Sequence, residues 1–252
     1  MIRYVLLAVA LVFVAGCNSG PSQSAENTVG GANVVSSAKA PFAPLATSLT
    51  LNWGSKAKPG QFAIADVLTY GGAKLKITAP AGWQPINDTA TATTRQSLYG
   101  HTVAASDPTT STWTFSAPVD TQGAVVLLDN VASGWPVDMS SHNTGASGVI
   151  VAKSVATTSD GDLILSFNAT DFGAYRPHIC TVCDGLNPNL PPDVAVVINQ
   201  ESTAREYWIL ANYQTQPAET LPEESGTGQI LNWVAAQVAI KRGVASSATP
   251  SS

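Results

Sequence analysis

"GDLILSFNATDF" (residues 161–172) decides the fold. In an extended chain Leu163, Leu165 and Phe167 fall on one side and Ile164, Ser166 and Asn168 on the other, because side chains alternate across a strand. One side is apolar throughout; the other turns polar after its first residue. That is the pattern of a strand with one face on a core. The same period recurs outward from this stretch. In "STWTFSAP" (residues 111–118) Trp113 and Phe115 share a face opposite Thr112, Thr114 and Ser116. In "REYWILANYQ" (residues 205–214) Tyr207, Ile209, Ala211 and Tyr213 alternate with Trp208, Leu210 and Asn212. Turn signals separate such runs: Asp107-Pro108, Gly134-Trp135-Pro136 and Asp160-Gly161-Asp162. The alanines of "LNWVAAQVAIKR" (residues 231–242) suit a helix, yet Val234, Ala236, Val238 and Ile240 alternate, so a strand closing the domain is predicted. Only 12% of residues are charged, and 16 prolines and 20 glycines punctuate segments rich in Thr, Val and Ser. The expected class is all-β, an antiparallel two-sheet β-sandwich, jelly-roll or Ig-like.

The N-terminus sets the compartment. Residues 1–17 read MIRYVLLAVALVFVAGC: a positive charge at Arg3, an apolar run over 4–14, then Ala15 and Gly16 before Cys17. A membrane span needs about 20 apolar residues, so this shorter run reads as an export signal. Its ending, Val14-Ala15-Gly16-Cys17, resembles the lipobox of bacterial lipoproteins. The resemblance implies cleavage before Cys17 and acylation of its sulfur, with palmitate-type chains holding the protein to a membrane at about 0.8 kcal/mol per buried methylene. Asn18 stands where, in enteric-type bacteria, an aspartate retains a lipoprotein at the inner membrane, so the outer membrane is the expectation in a two-membrane organism. Residues 18–40 are rich in Ser, Gly, Asn and Ala and lack a sustained apolar period, the composition of a flexible spacer. The expected organisation is a signal peptide at 1–16, the lipidated cysteine and tether at 17–42, the sandwich at 43–243 and a disordered tail at 244–252.

The order of motifs within the domain resembles a β-sandwich module of secreted, surface and phage-tail-like bacterial proteins. The matching pieces are Pro59-Gly60-Gln61 before "FAIADVLTY", Pro80-Ala81-Gly82-Trp83, residues 111–115, "AVVLLDNVASGWPVD" at 124–138, residues 157–163, and "WVAAQVAIK" at 233–241. Gln61 departs from the acid usual in that module, and residues 174–192 carry a cysteine-containing insert where a second Pro-x-Gly turn is common. The resemblance implies fold and export; the module brings no catalytic residues with it.

The chemistry-bearing residues are few. In "RPHICTVCDG" (residues 176–185) Cys180 and Cys183 form a close pair. Outside the cytoplasm such a pair is expected to be a disulfide that stiffens one loop. His178, Cys180 and Cys183 are weaker metal candidates, since tetrahedral zinc needs a fourth ligand that only Asp184, His101 or His142 offers. Trp83, Trp113 and Trp233 read as core, whereas Trp135 in its Gly-Pro loop and Trp53 near the domain entrance are candidates for stacking a sugar ring. Asp129, Asp138, Asp160 and Asp162 read as solvated turn residues. A net charge of −5 without a basic cluster disfavours nucleic acid, and no cofactor motif is present. The expected function is a lipid-anchored, non-catalytic binding or structural sandwich of the cell envelope, for a glycan or an envelope protein. A lectin-like module is the first alternative. The second is a hydrolase, requiring two carboxylates, or a histidine with a carboxylate, within hydrogen-bond reach.

Overall fold

A computed structural model describes residues 31–54, 57–147, 150, 152–159, 161–170, 194–202, 205–212 and 231–243. These residues build an all-β protein of two antiparallel sheets, and no helix occurs among them. The strands are β1 (Asn33–Asn52), β2 (Phe62–Thr69), β3 (Ile77–Thr78), β4 (Gln84–Ala90), β5 (Arg95–Thr102), β6 (Thr110–Asp129), β7 (Val137–Ser147), β8 (Leu163–Thr170), β9 (Val194–Ser202), β10 (Arg205–Asn212) and β11 (Leu231–Ile240). The first sheet runs β1-β6-β2-β5-β4, with β3 also on β6; the second runs β7-β11-β8-β10-β9.

The core lies between the sheets. Phe62, Ile64, Leu68, Leu98, Ala124, Val126 and Leu128 of the first meet Leu163, Leu165, Phe167, Val234, Ala236, Val238 and Ile240 of the second. The period-two reading of β8 and β11 as strands therefore holds, and β11 pairs with both β7 and β8, inside its sheet. The polar side of β8 is buried as well: Ser166 and Asn168 are 1% and 0% exposed, and Gln237 Nε2 donates to Ser166 Oγ at 3.2 Å. At the β4–β7 edge the sheets are tied by Asn87 Nδ2 donating to the Ser141 carbonyl at 3.0 Å.

Two strands are long, and both bend. β1 and β6 pair from Asn33↔Asp129 to Asn52↔Thr110, with register shifts between Ala40 and Ser48. Their first-paired halves lie in the sheet beside β2. Their other halves fold back across the outer face, where Leu49, Leu51, Trp53, Trp113 and Phe115 cover Ala63, Ala65, Val67, Val125 and Leu127 in a second apolar cluster. At Gly123 the ribbon comes close, since a Cβ there would lie 2.7 Å from Leu49 Cδ2 and 2.5 Å from the Asp66 carbonyl oxygen.

The first strand starts at Asn33, ten residues before the expected domain start at 43 and inside the stretch read as tether. Serine and alanine between 33 and 40 carry little apolar signal. What recruits them is the backbone ladder offered by the apolar run of β6 from Ala124 to Leu128.

Candidate functional site

Trp135 is the aromatic candidate on the surface. It is 39% exposed, in the turn where Gly134 takes φ 81°. Thr102 Oγ1 donates to the Gly134 carbonyl at 2.9 Å and fixes that turn to β5. The indole meets Phe62 edge-on, ring centroids 5.4 Å apart. Gly100 makes room for both rings, because a Cβ there would stand 2.5 Å from Phe62 Cζ and 2.8 Å from Trp135 Cη2. A ring held this way keeps an open part without rotamer freedom to lose, as an aromatic stacking platform requires.

Trp53 is placed differently. It is 5% exposed, with Nε1 donating to Ser111 Oγ at 2.9 Å and the ring edge-on to Trp83 and His101. It forms part of the wall of a half-open cavity of roughly 120 Å³ with Asn52, Val125, Leu127, Ser36, Ser37 and Ala38. It presents no broad ring face to solvent, because the ribbon that carries it folds back and turns the ring into the cluster on the outer face of the first sheet. Trp53 belongs to the cluster on the outer face of the first sheet and Trp135 packs on the inter-sheet residue Phe62, so the two do not converge on one platform. Trp83, Trp113 and Trp233 are buried, as expected.

The structure brings His101 to Asp107, a pairing that three isolated histidines in the sequence did not suggest. Nε2 lies 2.6 Å from Asp107 Oδ2 and Nδ1 lies 2.9 Å from the Gly82 carbonyl oxygen. Trp83 stacks on the imidazole at 5.2 Å with rings 27° apart. Burial opposes ionisation of Asp107, but the Ala104 N–H and His101 outweigh it and hold the carboxyl below its usual range. The ring nitrogens contact the Asp107 carboxylate and the Gly82 carbonyl rather than a hydroxyl or thiol, so the imidazole is not set beside a nucleophile. Ser111 Oγ, the hydroxyl of this aromatic cluster, already accepts from the Trp53 and Trp83 indoles at 2.9 Å each.

Two carboxyls also meet. Asp138, at the start of β7, and Asp162, just before β8, are buried rather than solvated, which corrects their reading as wet turn residues. Asp138 accepts from Thr158 N and Thr158 Oγ1, both at 2.5 Å, and pairs with Lys241 Nζ at 3.0 Å. Against the cost of burial, these groups and Asp162 hold Asp138 at about 2. Burial and the neighbouring Asp138 push Asp162 up to about 7, with Lys241 and Arg242 offsetting only part. The Asp162 oxygens accept no hydrogen bond. Below about pH 7 Asp162 therefore keeps a proton that it can donate to the ionised Asp138. Both side chains are 2% exposed, so no substrate reaches them without the corner opening.

Asp66 is the third buried acid. It sits in β2 among the inter-sheet residues, fully buried, and accepts from Gln96 Nε2 at 2.9 Å. Burial pushes it up to about 8, the Gln96 bond lowering it only partly. Asp66 Oδ1 and Gln96 Oε1 both lack partners, which a neutral acid resolves, since its O–H can donate to the amide oxygen. The signal was available: Asp66 falls on the same side of "FAIADVLTY" as Phe62, Ile64 and Leu68.

Cys17, His178, Cys180, Cys183 and Asp160 lie outside the described residues. Among the described residues no three His, Cys, Asp or Glu side chains gather as metal ligands, and no helix is long and apolar enough to cross a membrane. Compared with models of protein families, with curated proteins and with solved structures, the chain matches none.

Proposed function

We propose that this chain is a lipid-anchored protein of the bacterial cell envelope whose β-sandwich serves a binding or structural role without catalysis. The observation that carries the reading is the sequence Val14-Ala15-Gly16-Cys17 closing an N-terminal apolar run ahead of an all-β domain. Three features agree with a non-catalytic role. His101 has both nitrogens engaged, the Asp138 and Asp162 pair is closed to substrate, and Asp66 is sealed between the sheets. In this reading Cys180 and Cys183 form the expected disulfide, and the outer membrane is the destination in a two-membrane organism. The test is fractionation of cells producing the full chain or its Cys17→Ser variant. The expected result is wild type in the membrane fraction and the variant released; equal distribution of the two would contradict the anchor.

A glycan-binding role is the second reading, and the half-exposed, fixed indole of Trp135 favours it. Sugar rings stack their C–H faces on such a surface, and the desolvated contact dominates affinity. Incubating the protein with insoluble cell-wall and polysaccharide preparations tests it. Retention on one polymer, reduced at least tenfold by Trp135→Ala, is expected; retention unchanged by that substitution would place any glycan site elsewhere.

A further inference from the structure

We propose that the apolar bend of β1, residues 40–46 with Leu45 at its tip, is a membrane-facing surface that rests on an anionic bilayer. The inference stands on the lipid anchor proposed at Cys17. Residues 40–46 read APFAPLA, an uninterrupted run without a polar side chain between Lys39 and Thr47. Here β1 leaves regular register with β6, and Pro41, Pro44 and Leu45 are exposed. Leu45 is 75% exposed, against 43% for Met139, the next most exposed large apolar side chain among the described residues.

The backbone is bent to present it. Leu45 takes φ 48°, a conformation that bulky L-residues rarely adopt. Its own side chain gains no packing in return. The turn is held instead by Leu45 N–H donating to Asp120 Oδ1 at 3.0 Å. A backbone held in this conformation that leaves its apolar side chain in solvent points to a use outside the fold.

The surroundings say which use. Lys39 precedes the bend on β1, while Lys74 and Lys76 lead into β3 on the other side of β6, where Lys76 exchanges hydrogen bonds with Ser116. All three lysines are exposed, in a chain whose net charge is −5. Against these three lysines the bend itself carries one acid, Asp120, whose carboxylate is engaged by Leu45 N–H, so the flanks leave a positive balance. An apolar tip with such flanks is complementary to an anionic lipid surface, where apolar side chains enter the headgroup boundary and each nearby lysine adds attraction. Reach agrees. From Asn33 to Ala40 the strand covers roughly 23 Å. The stretch from Cys17 to Ala32 extends to about 50 Å. The acyl chains then hold the protein at the bilayer and the bend fixes its orientation there.

The test places photoreactive p-benzoylphenylalanine at Leu45 or, as control, at Ser106, which is exposed at the opposite end of the first sheet. The full, lipid-bearing chain is reconstituted in vesicles of phosphatidylethanolamine with phosphatidylglycerol and irradiated. We expect several-fold more phospholipid adduct from position 45 than from 106. The yield at 45 should fall several-fold with Lys74→Glu plus Lys76→Glu, or in vesicles of phosphatidylcholine alone. Equal yields at both positions, in protein that floats with the vesicles, would overturn this inference while leaving the anchor intact. A protein adduct in place of lipid, when position 45 is irradiated in cells, would overturn it too. A chain that does not float and carries an unmodified Cys17 would overturn the anchor and this surface together.

Discussion

At Gln61 an amide does what an acid could not. Its Oε1 accepts the Lys58 N–H at 2.8 Å while its Nε2 donates to Asp129 Oδ2 at 3.2 Å. A carboxylate there would face another carboxylate at 4% exposure. Gln61→Glu is therefore expected to lower stability by about 1–2 kcal/mol at neutral pH, and by less in acid where one carboxyl is protonated, as read from urea midpoints. Asp66 has the opposite dependence from an ordinary exposed acid. Its folded pKa is raised from 3.8 to about 8, so the stability contributed by its neutral form is complete below about pH 4 and is lost as pH rises through 8. Asp66→Asn keeps a partner for both Gln96 atoms. It should leave stability at pH 3 nearly unchanged and gain several kcal/mol over wild type at pH 9. A variant that tracks wild type at both pH values would mean that Asp66 is ionised in the folded protein. At the glycan candidate, Gly100→Ala sets a Cβ into Phe62 and Trp135. A loss of about 1–3 kcal/mol is expected, together with a shift of Trp135 fluorescence.

At the scale of elements, strands with one apolar face were legible from period two alone. The Trp113 segment of β6 alternates cleanly in sequence and in burial, whereas β8 alternates in sequence alone, because both of its faces are buried. What period two does not carry is where a strand bends or which sheet it joins. β6 was visible as two pieces, "STWTFSAP" and "AVVLLD"; the structure makes them one strand of 20 residues paired along its length with β1. The first half of β1 was hidden because Ser, Ala and Lys there contribute backbone hydrogen bonds more than buried apolar area, and composition reports only the latter. The fold-back depends on close approach at Gly123. Gly123→Ala is expected to lift the ribbon and cost about 1–3 kcal/mol, with increased amide exchange in residues 48–53 and 110–116. Unchanged exchange there would show that the ribbon does not rely on that contact. The candidate site divides along the same line. Trp135 was legible because Gly134 and Pro136 announce a loop. Trp53 was misplaced because only the fold-back, a long-range event, buries it. The Asp138, Asp162 and Lys241 corner unites the starts of β7 and β8 with the end of β11, separations that no local motif encodes.

For the whole molecule, the acids set a common pH profile. Asp138, held at about 2, contributes stability that is present above about pH 4 and lost as pH falls toward 2. Asp162, raised to about 7, contributes stability lost as pH rises through 7, and Asp66 does the same through 8. Together they place the stability maximum in mildly acidic solution, which a series of thermal melts between pH 3 and 9 checks. Under the proposed anchor at Cys17, the sandwich, its apolar bend and the lysines near it belong to a domain held at a membrane. The measurement that tests this most directly is the mass of the mature N-terminal peptide from the full chain recovered from bacterial membranes. The account predicts a chain beginning at Cys17 and carrying the added mass of a diacylglyceryl group on its sulfur. A chain cleaved at another residue, or one with an unmodified Cys17, would contradict it.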